Sequence, residues 1–306
     1  MKIGIPRAML YYRFRPLWET FFQRIGCEIV LSAPTNPKTL LDGSRDSPEE
    51  CCLPAKIFMG HVRELAGKCE YIFVPRFEQM SKNEEFCARF MGLPDVVGST
   101  FRDLLLLRYD MTNERFEHVC FDKIGRCLGK SPAVTRLAYI EAVRAQNEAE
   151  RRAFREQEAL RQKPGLKVLI AAQPYLMHDP YIGGPIVKLI EHERGIPLFS
   201  DRCNRRKCLA AAAEISPNLF WTMNKESAGA VSLNRGKVNG VILLTAFPCG
   251  PDAMVNELLT RKIKDVPMLQ LVLDDMQGEA GLQTRIESFF DVMREREMRQ
   301  VQEYAG

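Results

Sequence analysis

The chain has 306 residues, enough for two ordinary domains, and 46% of them are hydrophobic while 27% are charged. Its 43 Lys and Arg against 39 Asp and Glu leave a formal charge of only +4, and no basic run is interleaved with aromatic residues, which argues against nucleic-acid binding. No apolar stretch reaches the roughly 20 residues of a membrane span, and Met1–Arg7 is typical of a strand rather than of a signal peptide. We therefore expect a cytoplasmic protein with no membrane partner. In that compartment its 10 cysteines stay reduced and favour a metal or redox role over a disulfide framework.

The first half opens with a predicted strand, helix and strand. Met1–Pro6 is apolar and predicts a strand, Pro16–Ile25 predicts a helix that ends at Gly26, and Cys27–Ser32 predicts a second strand. This β-α-β unit is typical of a parallel sheet covered by helices.

The next predicted helix has an ambiguous start. Ser47–Glu50 has the pattern of an N-cap, a first-turn proline and a capping-box glutamate. Pro54 lacks an N–H and would clash with a turn begun there, so we predict that the helix instead begins at Pro54 and ends at Gly67. Cys52 then lies two residues ahead of a proline that opens a helix.

A strand predicted at Tyr71–Val74 runs into Pro75-Arg76 and a polar loop that contains Cys87. Ligands of open α/β sheets bind outside the carboxyl ends of the strands. This loop is therefore a candidate site.

The second half repeats the pattern of the first. Leu166–Ala172 and Ile196–Ser200 predict strands, with a helix over Gly184–Arg194 between them. A further strand over Val238–Phe247 leads through Pro248 and Cys249 into a predicted helix.

Two charge-rich segments predict long, largely exposed helices. Pro132–Lys163 closes the first half, and Glu279–Tyr304 forms the C-terminal part of the second. We therefore predict an α/β protein of two domains, 1–164 with the long closing helix and 165–306 with the C-terminal helix.

The pattern Cys-x-Pro at a helix start occurs once in each half, at Cys52 and Cys249. The N-terminus of a helix carries partial positive charge, which stabilises a thiolate and lowers its pKa. The same field would stabilise an anionic iron–sulfur cluster. From the residues alone, a ligand, a nucleophile and a small apolar side chain that fits a tight turn all remain open.

The remaining cysteines divide into core and loop positions. Cys27 and Cys120 lie among apolar residues and predict core thiols. Cys203 and Cys208 have a spacing that would suit a metal, but the basic residues around them disfavour a divalent cation. These basic residues suit an anionic phosphate better, although an exposed basic loop is the simpler interpretation. They are Arg202, Arg205, Arg206 and Lys207.

Among the four histidines, His178 is the best candidate for catalysis because it follows a strand at its carboxyl end. A cysteine hydrolase that pairs Cys249 with His178 is one alternative.

Several motifs, taken in order along nearly the whole chain, resemble one family, the CoA-substrate-specific enzyme activase-related family. It is a relative of the subunits of 2-hydroxyacyl-CoA dehydratases, with the 2-hydroxyglutaryl-CoA dehydratase D component as an example. The motifs are Gly4-Ile-Pro-Arg7, Cys52-Leu-Pro-Ala-Lys56 with Gly60-His61, Phe86-Cys87 with Gly92-Leu-Pro-Asp95, Cys249-Gly-Pro-Asp252 and Glu279-Ala-Gly-Leu-Gln-Thr-Arg285.

The resemblance implies two Rossmann-like domains with an iron–sulfur cluster, a [4Fe-4S] cluster, at their interface. By motif, its three ligands correspond to Cys52, Cys87 and Cys249. Cys51, beside Cys52, departs from the family pattern, and we do not expect it to be a fourth ligand.

The resemblance also implies a partner, a separate ATP-hydrolysing iron–sulfur activator of the actin/Hsp70-like type. No Gly-rich phosphate-binding segment or Walker A motif occurs in this chain, so we expect it to receive electrons rather than hydrolyse ATP. In the related dehydratases, a low-potential electron passes to the thioester carbonyl, and the resulting radical expels hydroxide. Arg7 and Arg76, each placed just past a predicted strand, are candidates to balance the charge of the cluster.

The sequence leaves three functions open. The first is a radical dehydratase or ATP-dependent reductase component acting on an acyl-CoA or another small molecule. The second is an electron-transfer or cluster-maturation accessory without its own substrate. The third is a metal-free cysteine hydrolase or binding protein.

Overall fold

The computed structural model describes residues 1–81, 83–111, 117–275 and 279–305. Over these residues the strands form two four-stranded parallel sheets and one two-stranded antiparallel ribbon. The strands in chain order are β1 (Lys2–Ile5), β2 (Glu28–Leu31), β3 (Tyr71–Phe77), β4 (Gln79–Ser81), β5 (Glu84–Glu85), β6 (Leu106–Met111), β7 (Lys167–Ala171), β8 (Ile196–Phe199), β9 (Gly240–Ala246) and β10 (Met268–Leu273).

Helices connect these strands, as the alternation of apolar runs and amphipathic stretches predicts. In chain order they are α1 (Tyr11–Arg24), α2 (Pro37–Asp46), α3 (Leu53–Leu65), α4 (Ala88–Met91), α5 (Leu93–Thr100), α6 (Glu117–Cys127), α7 (Pro132–Arg161), α8 (Pro174–Met177), α9 (Gly184–His192), α10 (Arg205–Ile215), α11 (Thr222–Asn234), α12 (Gly250–Lys262) and α13 (Glu279–Ala305). A short 3₁₀ turn spans Ser200–Arg202. The predicted mixed α/β class with parallel sheets is confirmed.

The two large sheets share one topology. The first has the order β2-β1-β3-β6, and the second has the order β10-β9-β7-β8. Numbered within each sheet, both read 2-1-3-4, so the chain direction across the sheet reverses between the first and third strands. Ligands of such sheets bind at this switch point, outside the carboxyl ends of the strands. The loops after β1 and β3, and those after β7 and β9, therefore occupy the places where a site is expected.

The chain divides into two compact units. Unit 1 comprises Met1–Arg152 with Phe220–Thr222, and unit 2 comprises Ala153–Leu219 with Met223–Gly306. The division falls within α7, and the predicted domain boundary at residue 164 stays a prediction.

Aromatic side chains dominate the core of unit 1. Trp18 and Phe22 on α1 each meet Phe73 on β3 edge to face, with ring centroids 4.9 and 5.2 Å apart. Phe21 lies 4.5 Å from Phe121 on α6. These rings bury large areas and fix α1 against the sheet.

Two glycines allow α2 and α3 to pack with their backbones in contact. A Cβ added at Gly43 would lie 1.8 Å from the carbonyl oxygen of Lys56, and one at Gly60 would lie 1.9 Å from that of Thr39. No side chain larger than hydrogen fits either position without moving the backbone. This contact fixes the direction of α3, which begins immediately after Cys52.

Several predicted boundaries differ from the observed ones. Helix α3 begins at Leu53, one residue before the predicted start at Pro54, and Ser47 ends α2. Helix α1 begins at Tyr11, five residues before the predicted start, and a kink at Phe14 accommodates Pro16 in its interior. Arg76 lies inside β3 and not beyond it, since that strand continues to Phe77.

The supposed basic loop 201–208 is also partly helical, since Arg205 already belongs to α10. Within the described residues, none of the helices has both the length and the apolar composition that a bilayer crossing requires.

Candidate metal centre

The three cysteines assigned as cluster ligands occupy the same kind of backbone position. Cys52 is the N-cap residue of α3, Cys87 that of α4 and Cys249 that of α12. All three have extended backbone, and none uses its side chain to cap its own helix. In a parallel sheet, the helix that follows a strand begins at the carboxyl edge, so Cys249, which opens the helix directly after β9, lies where the second sheet is expected to bind a ligand. Cys52 follows α2 and Cys87 follows the β4–β5 ribbon.

In unit 1, Cys52 and Cys87 are close enough for the charge on one sulfur to act on the other. Arg89, on the helix that Cys87 opens, donates a 3.0 Å hydrogen bond to the carbonyl oxygen of Glu50. This bond ties α4 to the segment that carries Cys51 and Cys52. The guanidinium of Arg89 also lies near enough to Cys52 to favour its thiolate.

Burial controls the protonation of Cys52. Removal from water raises the pKa of this thiol to about 11, and the nearby charges of Cys87 and Cys51 act in the same direction. The backbone N–H of Ala55 and the guanidinium of Arg89 lower the pKa, but not enough to offset burial. The helix N-terminus therefore acts in the expected direction through the Ala55 N–H, but the pKa of this thiol in the metal-free protein still lies above its ordinary value. A bound metal cation reverses the balance, because a coordinating thiol is deprotonated.

Hydrogen bonds of the β4–β5 ribbon hold the chain just before Cys87. The N–H of Phe86 donates to the carbonyl of Glu78 at 2.9 Å, and the N–H of Glu85 donates to Phe220 at 2.9 Å. Glu85 also forms a parallel bridge with Trp221, so the segment 220–222 extends this ribbon within unit 1. Phe86 packs against Phe77 with ring centroids 5.2 Å apart. The hydrogen bonds to Glu78 and Phe220 and the packing of Phe86 on Phe77 thus fix the chain immediately before Cys87.

In unit 2, a buried carboxylate fixes the turn that carries Cys249. Asp252 accepts hydrogen bonds from Gln173 at 2.7 Å and Asn224 at 2.6 Å on one oxygen, and from Thr245 at 3.2 Å on the other. All four side chains are buried. Asp252 thereby joins β9, the loop after β7 and α11 to the first turn of α12.

The sequence analysis did not find a role for Asp252. The sequence signal for Asp252 was its place in the motif Cys249-Gly-Pro-Asp252. An acidic residue in the first turn of a helix also complements the helix dipole.

The arginines expected to balance the cluster differ in their surroundings. Arg76 forms ion pairs with Asp95 at 2.7 Å and with Asp110 at 3.2 Å, so two carboxylates already neutralise its charge. Its proposed role as a counter-charge does not fit this arrangement. Arg7 follows β1 as predicted, its backbone N–H donates to Ser32, and its Nε is buried with no hydrogen-bond partner among the described residues. Arg89 lies near Cys52, a contact that the sequence did not indicate.

His178 lies after β7, where α8 ends, and its Nε2 forms a 2.7 Å hydrogen bond with Asp201. The imidazole also packs against Phe199, with ring centroids 5.1 Å apart. The predicted position at the carboxyl end of a strand is therefore observed, with a carboxylate as the partner of the ring.

The basic residues at 202–207 surround the N-terminus of α10. Arg202 stacks over the ring of Phe199 at 4.6 Å, and Arg205 forms an ion pair with Glu226 at 2.7 Å. Arg206 and Lys207 are exposed. Asn204 caps the helix by accepting from the N–H of Lys207 at 3.0 Å. An anion would therefore meet mainly Arg206 and Lys207.

All ten cysteines are thiols. Across the part of the chain that the structure describes, no group of three or more His, Cys, Asp or Glu side chains is arranged to hold a metal ion.

Comparison with known proteins gives one family. Residues 2–202 match the family described as the CoA enzyme activase uncharacterised domain (DUF2229). No curated protein matches the chain. Among solved structures, the chain is similar to the crystal structure of ZnuA at 12% sequence identity, with 96% of this chain and 98% of that chain covered, but the TM-score is only 0.26. That likeness carries no argument. The family match covers about two thirds of the chain, and the chain therefore belongs to the CoA enzyme activase uncharacterised domain family.

Proposed function

We propose that this chain is an iron–sulfur protein similar to the 2-hydroxyacyl-CoA dehydratase subunits, with Cys52, Cys87 and Cys249 as ligands of a [4Fe-4S] cluster. The observation that carries the proposal is the shared position of the three motif cysteines as N-cap residues with extended backbone. Membership of a CoA-related activase family supports a link to CoA chemistry and to an activator.

The donor set of unit 1 fits such a group. Two thiols lie close together, Arg89 supplies positive charge beside Cys52, and the N–H of Ala55 at the start of α3 acts on the same sulfur. Free N–H groups at a helix N-terminus would stabilise an anionic cluster. The cluster would supply low-potential one-electron chemistry at an iron that no cysteine binds. The protein's own residues would fix the ligands: Arg89 ties Cys87 to the Cys52 segment, and Asp252 sets the turn of Cys249.

A separate ATP-hydrolysing activator would deliver the electron, and an acyl-CoA or another small molecule would accept it. The exposed Arg206 and Lys207 at the N-terminus of α10 would attract the phosphates of CoA. Arg206→Glu with Lys207→Glu should weaken acyl-CoA binding, most of all at low ionic strength. An unchanged affinity at low salt would remove these residues from the site.

Two other functions stay open as alternatives. An electron-transfer or cluster-maturation accessory would use the same cysteines without a substrate. A metal-free hydrolase would use Cys249 with His178, and the hydrogen bond from His178 to Asp201 supplies the carboxylate partner that such a histidine needs.

The test is electron uptake by anaerobically reconstituted protein. The protein is mixed with a purified activator that carries its own cluster, and the visible absorption and the electron paramagnetic resonance spectrum are followed with ATP and with a non-hydrolysable analogue. Reduction that requires ATP hydrolysis supports the proposal. A reconstituted cluster that stays oxidised would contradict electron transfer from an activator. Turnover over a panel of 2-hydroxyacyl-CoA thioesters then separates an enzyme from an accessory.

A further inference from the structure

Two thiols that the proposed cluster does not use lie in contact at the start of α10. Cys203 precedes the N-cap residue of this helix, and Cys208 lies in its first turn. Each of these two thiols changes the pKa of the other, so their side chains are neighbours. The two sulfurs are thus neighbours in the folded protein without being bonded.

Two buried amides also point at the Cys203 sulfur. Asn234 donates to it from Nδ2 at 3.5 Å, and Gln157 donates from Nε2 at 3.8 Å. Both side chains are held in place, since Asn234 also donates to the carbonyl of Ala230 at 2.6 Å and Gln157 makes two hydrogen bonds with the backbone of Phe199 at 2.7 and 2.9 Å. Two amide donors therefore converge on one sulfur, and the Cys203 thiol in turn donates to the carbonyl oxygen of Phe199 at 3.9 Å. The two amide donors favour a thiolate at Cys203.

The pKa values of the two thiols are shifted in opposite directions. Hydrogen bonding with Cys208 lowers the pKa of Cys203 below its ordinary value, with Asn234 and the charge of Arg161 acting in the same direction against burial and Asp201. Hydrogen bonding with Cys203, together with burial, raises the pKa of Cys208. Cys203 is therefore the thiol that ionises first.

The two thiols also differ in access. Cys203 is partly exposed, whereas Cys208 is only 2% exposed. Packing holds Cys208 in place: a Cβ added at Gly229 on α11 would lie 1.8 Å from the carbonyl oxygen of Cys208, so the two helices touch at this residue. Cys203 is therefore the more accessible of the two thiols to a reagent from solution.

We propose that Cys203 and Cys208 form a thiol–disulfide exchange site, with Cys203 as the attacking thiol and Cys208 as the resolving thiol, whose substrates are low-molecular-weight disulfides. The Cys203 thiolate attacks one sulfur of the disulfide, forms a mixed disulfide and releases one thiolate. The Cys208 thiol then loses its proton and attacks the Cys203 sulfur, which forms the Cys203–Cys208 disulfide and releases the second thiol. The protein loses two electrons and two protons, and the small disulfide gains them.

The site differs from the proposed metal centre in its residues and in its test. It contains none of the three cluster cysteines, and all of its residues belong to unit 2. Its failure would leave the cluster proposal untouched.

The experiment equilibrates the full-length protein anaerobically with oxidised and reduced glutathione in varied ratio, quenches with acid and blocks the remaining thiols with a maleimide. Trypsin cuts at Arg202, Arg205 and Lys207, so it separates a peptide 203–205 from a peptide 208–225. We expect these two peptides to be recovered joined by a disulfide, with both thiols lost together as the ratio rises. The exposed Cys127 provides the control, because it should form only a mixed disulfide with glutathione.

Two variants separate the roles of the thiols. Cys208→Ser should retain glutathione on Cys203, because no resolving thiol remains, whereas Cys203→Ser should leave the buried Cys208 unmodified. Cys208→Ala serves as a second replacement if the serine variant does not fold. Recovery of wild-type peptides 203–205 and 208–225 without a link, with Cys203 oxidised no more readily than Cys127, would overturn the proposal.

Discussion

At the scale of single residues, Cys52 and Cys203 respond differently to similar positions near a helix N-terminus. Cys52 is half-buried, and its removal from water raises the pKa of the thiol to about 11. Cys203 is also half-buried, but hydrogen bonding with Cys208 and Asn234 lowers the pKa of its thiol. A helix N-terminus alone therefore does not set the pKa of a thiol, because burial and the hydrogen bonds to the sulfur both contribute.

The raised pKa of Cys52 gives a direct prediction for the metal-free protein. At pH 8, alkylation of Cys52 by iodoacetamide should be slower than that of the exposed Cys127, and its rate should keep rising as the pH approaches about 11. Peptide mass spectrometry of timed samples measures both rates. Equal rates at pH 8 would show that burial does not control this thiol.

His61 makes the stability depend on pH. Its side chain is fully buried, its Nε2 lies 3.0 Å from the Thr35 hydroxyl, and burial lowers its pKa from 6.5 to about 4. Between these values the unfolded chain binds a proton that the folded protein does not, so the free energy of unfolding falls as the pH drops from 6.5 towards 4. A shift of this size corresponds to about 3 kcal/mol.

Urea unfolding of the wild type and of His61→Gln at pH 7 and pH 4.5 tests this linkage. The carboxylates titrate in both proteins, so their contributions cancel in the comparison. We expect the variant to lose less stability between the two pH values than the wild type. The same loss in both would contradict a neutral buried His61.

At the scale of elements, the contact between α2 and α3 sets the direction of the helix that Cys52 opens. Gly60→Ala would place a methyl group against the carbonyl oxygen of Thr39. We expect a loss of roughly 1–3 kcal/mol, because the backbones must separate to admit it. Gly281→Ala, on α13 with nothing near its Cβ position, is the matched control and should not destabilise the protein. Chemical denaturation of both variants measures the difference, and equal stability would mean that the helices separate at little cost.

Asp252 joins three elements to α12. Asp252→Asn keeps one acceptor oxygen for Gln173 and Asn224 but removes the negative charge, and its NH2 group cannot accept the hydrogen bond from the Thr245 hydroxyl. We expect a loss of roughly 2–3 kcal/mol, since these bonds are to a buried charge. The melting temperature of the metal-free protein measures it. Asp274→Asn, on an exposed position after β10, provides the comparison, and an equal effect of both changes would exclude a special role for Asp252.

The sequence predicted most elements because each depends on local pattern. Apolar runs marked β1, β7 and β9, and the charge-rich stretch at 132–163 marked α7. The errors arose where contacts with other residues determine where an element begins or ends. Arg76 joins β3 because β6 pairs with it through residue 110, and residues 205–208 enter α10 because Asn204 caps it. The Asp252 network joins residues 79 and 28 positions apart, which no local pattern reveals.

The predictions for the candidate site divide in the same way, between residues that a local motif indicates and residues whose role depends on a distant contact. The motifs identified Cys52, Cys87 and Cys249, and their spacing from prolines placed two of them at helix starts. The role of Arg89 depends on a contact 39 residues away in the sequence, with Glu50, and could not be read from its neighbours.

At the scale of the whole molecule, the chain contains one sheet topology twice. Both four-stranded sheets have the order 2-1-3-4, and Arg7 and Cys249 follow strands at the switch points of the first and second sheet. The central claim is that Cys52, Cys87 and Cys249 hold an iron–sulfur cluster.

Iron and sulfide content after anaerobic reconstitution tests this claim most directly. The wild type should bind about four iron and about four sulfide per chain, as a [4Fe-4S] cluster requires. Cys27→Ser and Cys120→Ser, which change buried thiols outside the motifs, should keep that content. Cys52→Ser, Cys87→Ser and Cys249→Ser should each lose most of it, while a folded circular dichroism spectrum confirms that the variants remain intact. Full iron content in the Cys249→Ser protein would contradict the assignment.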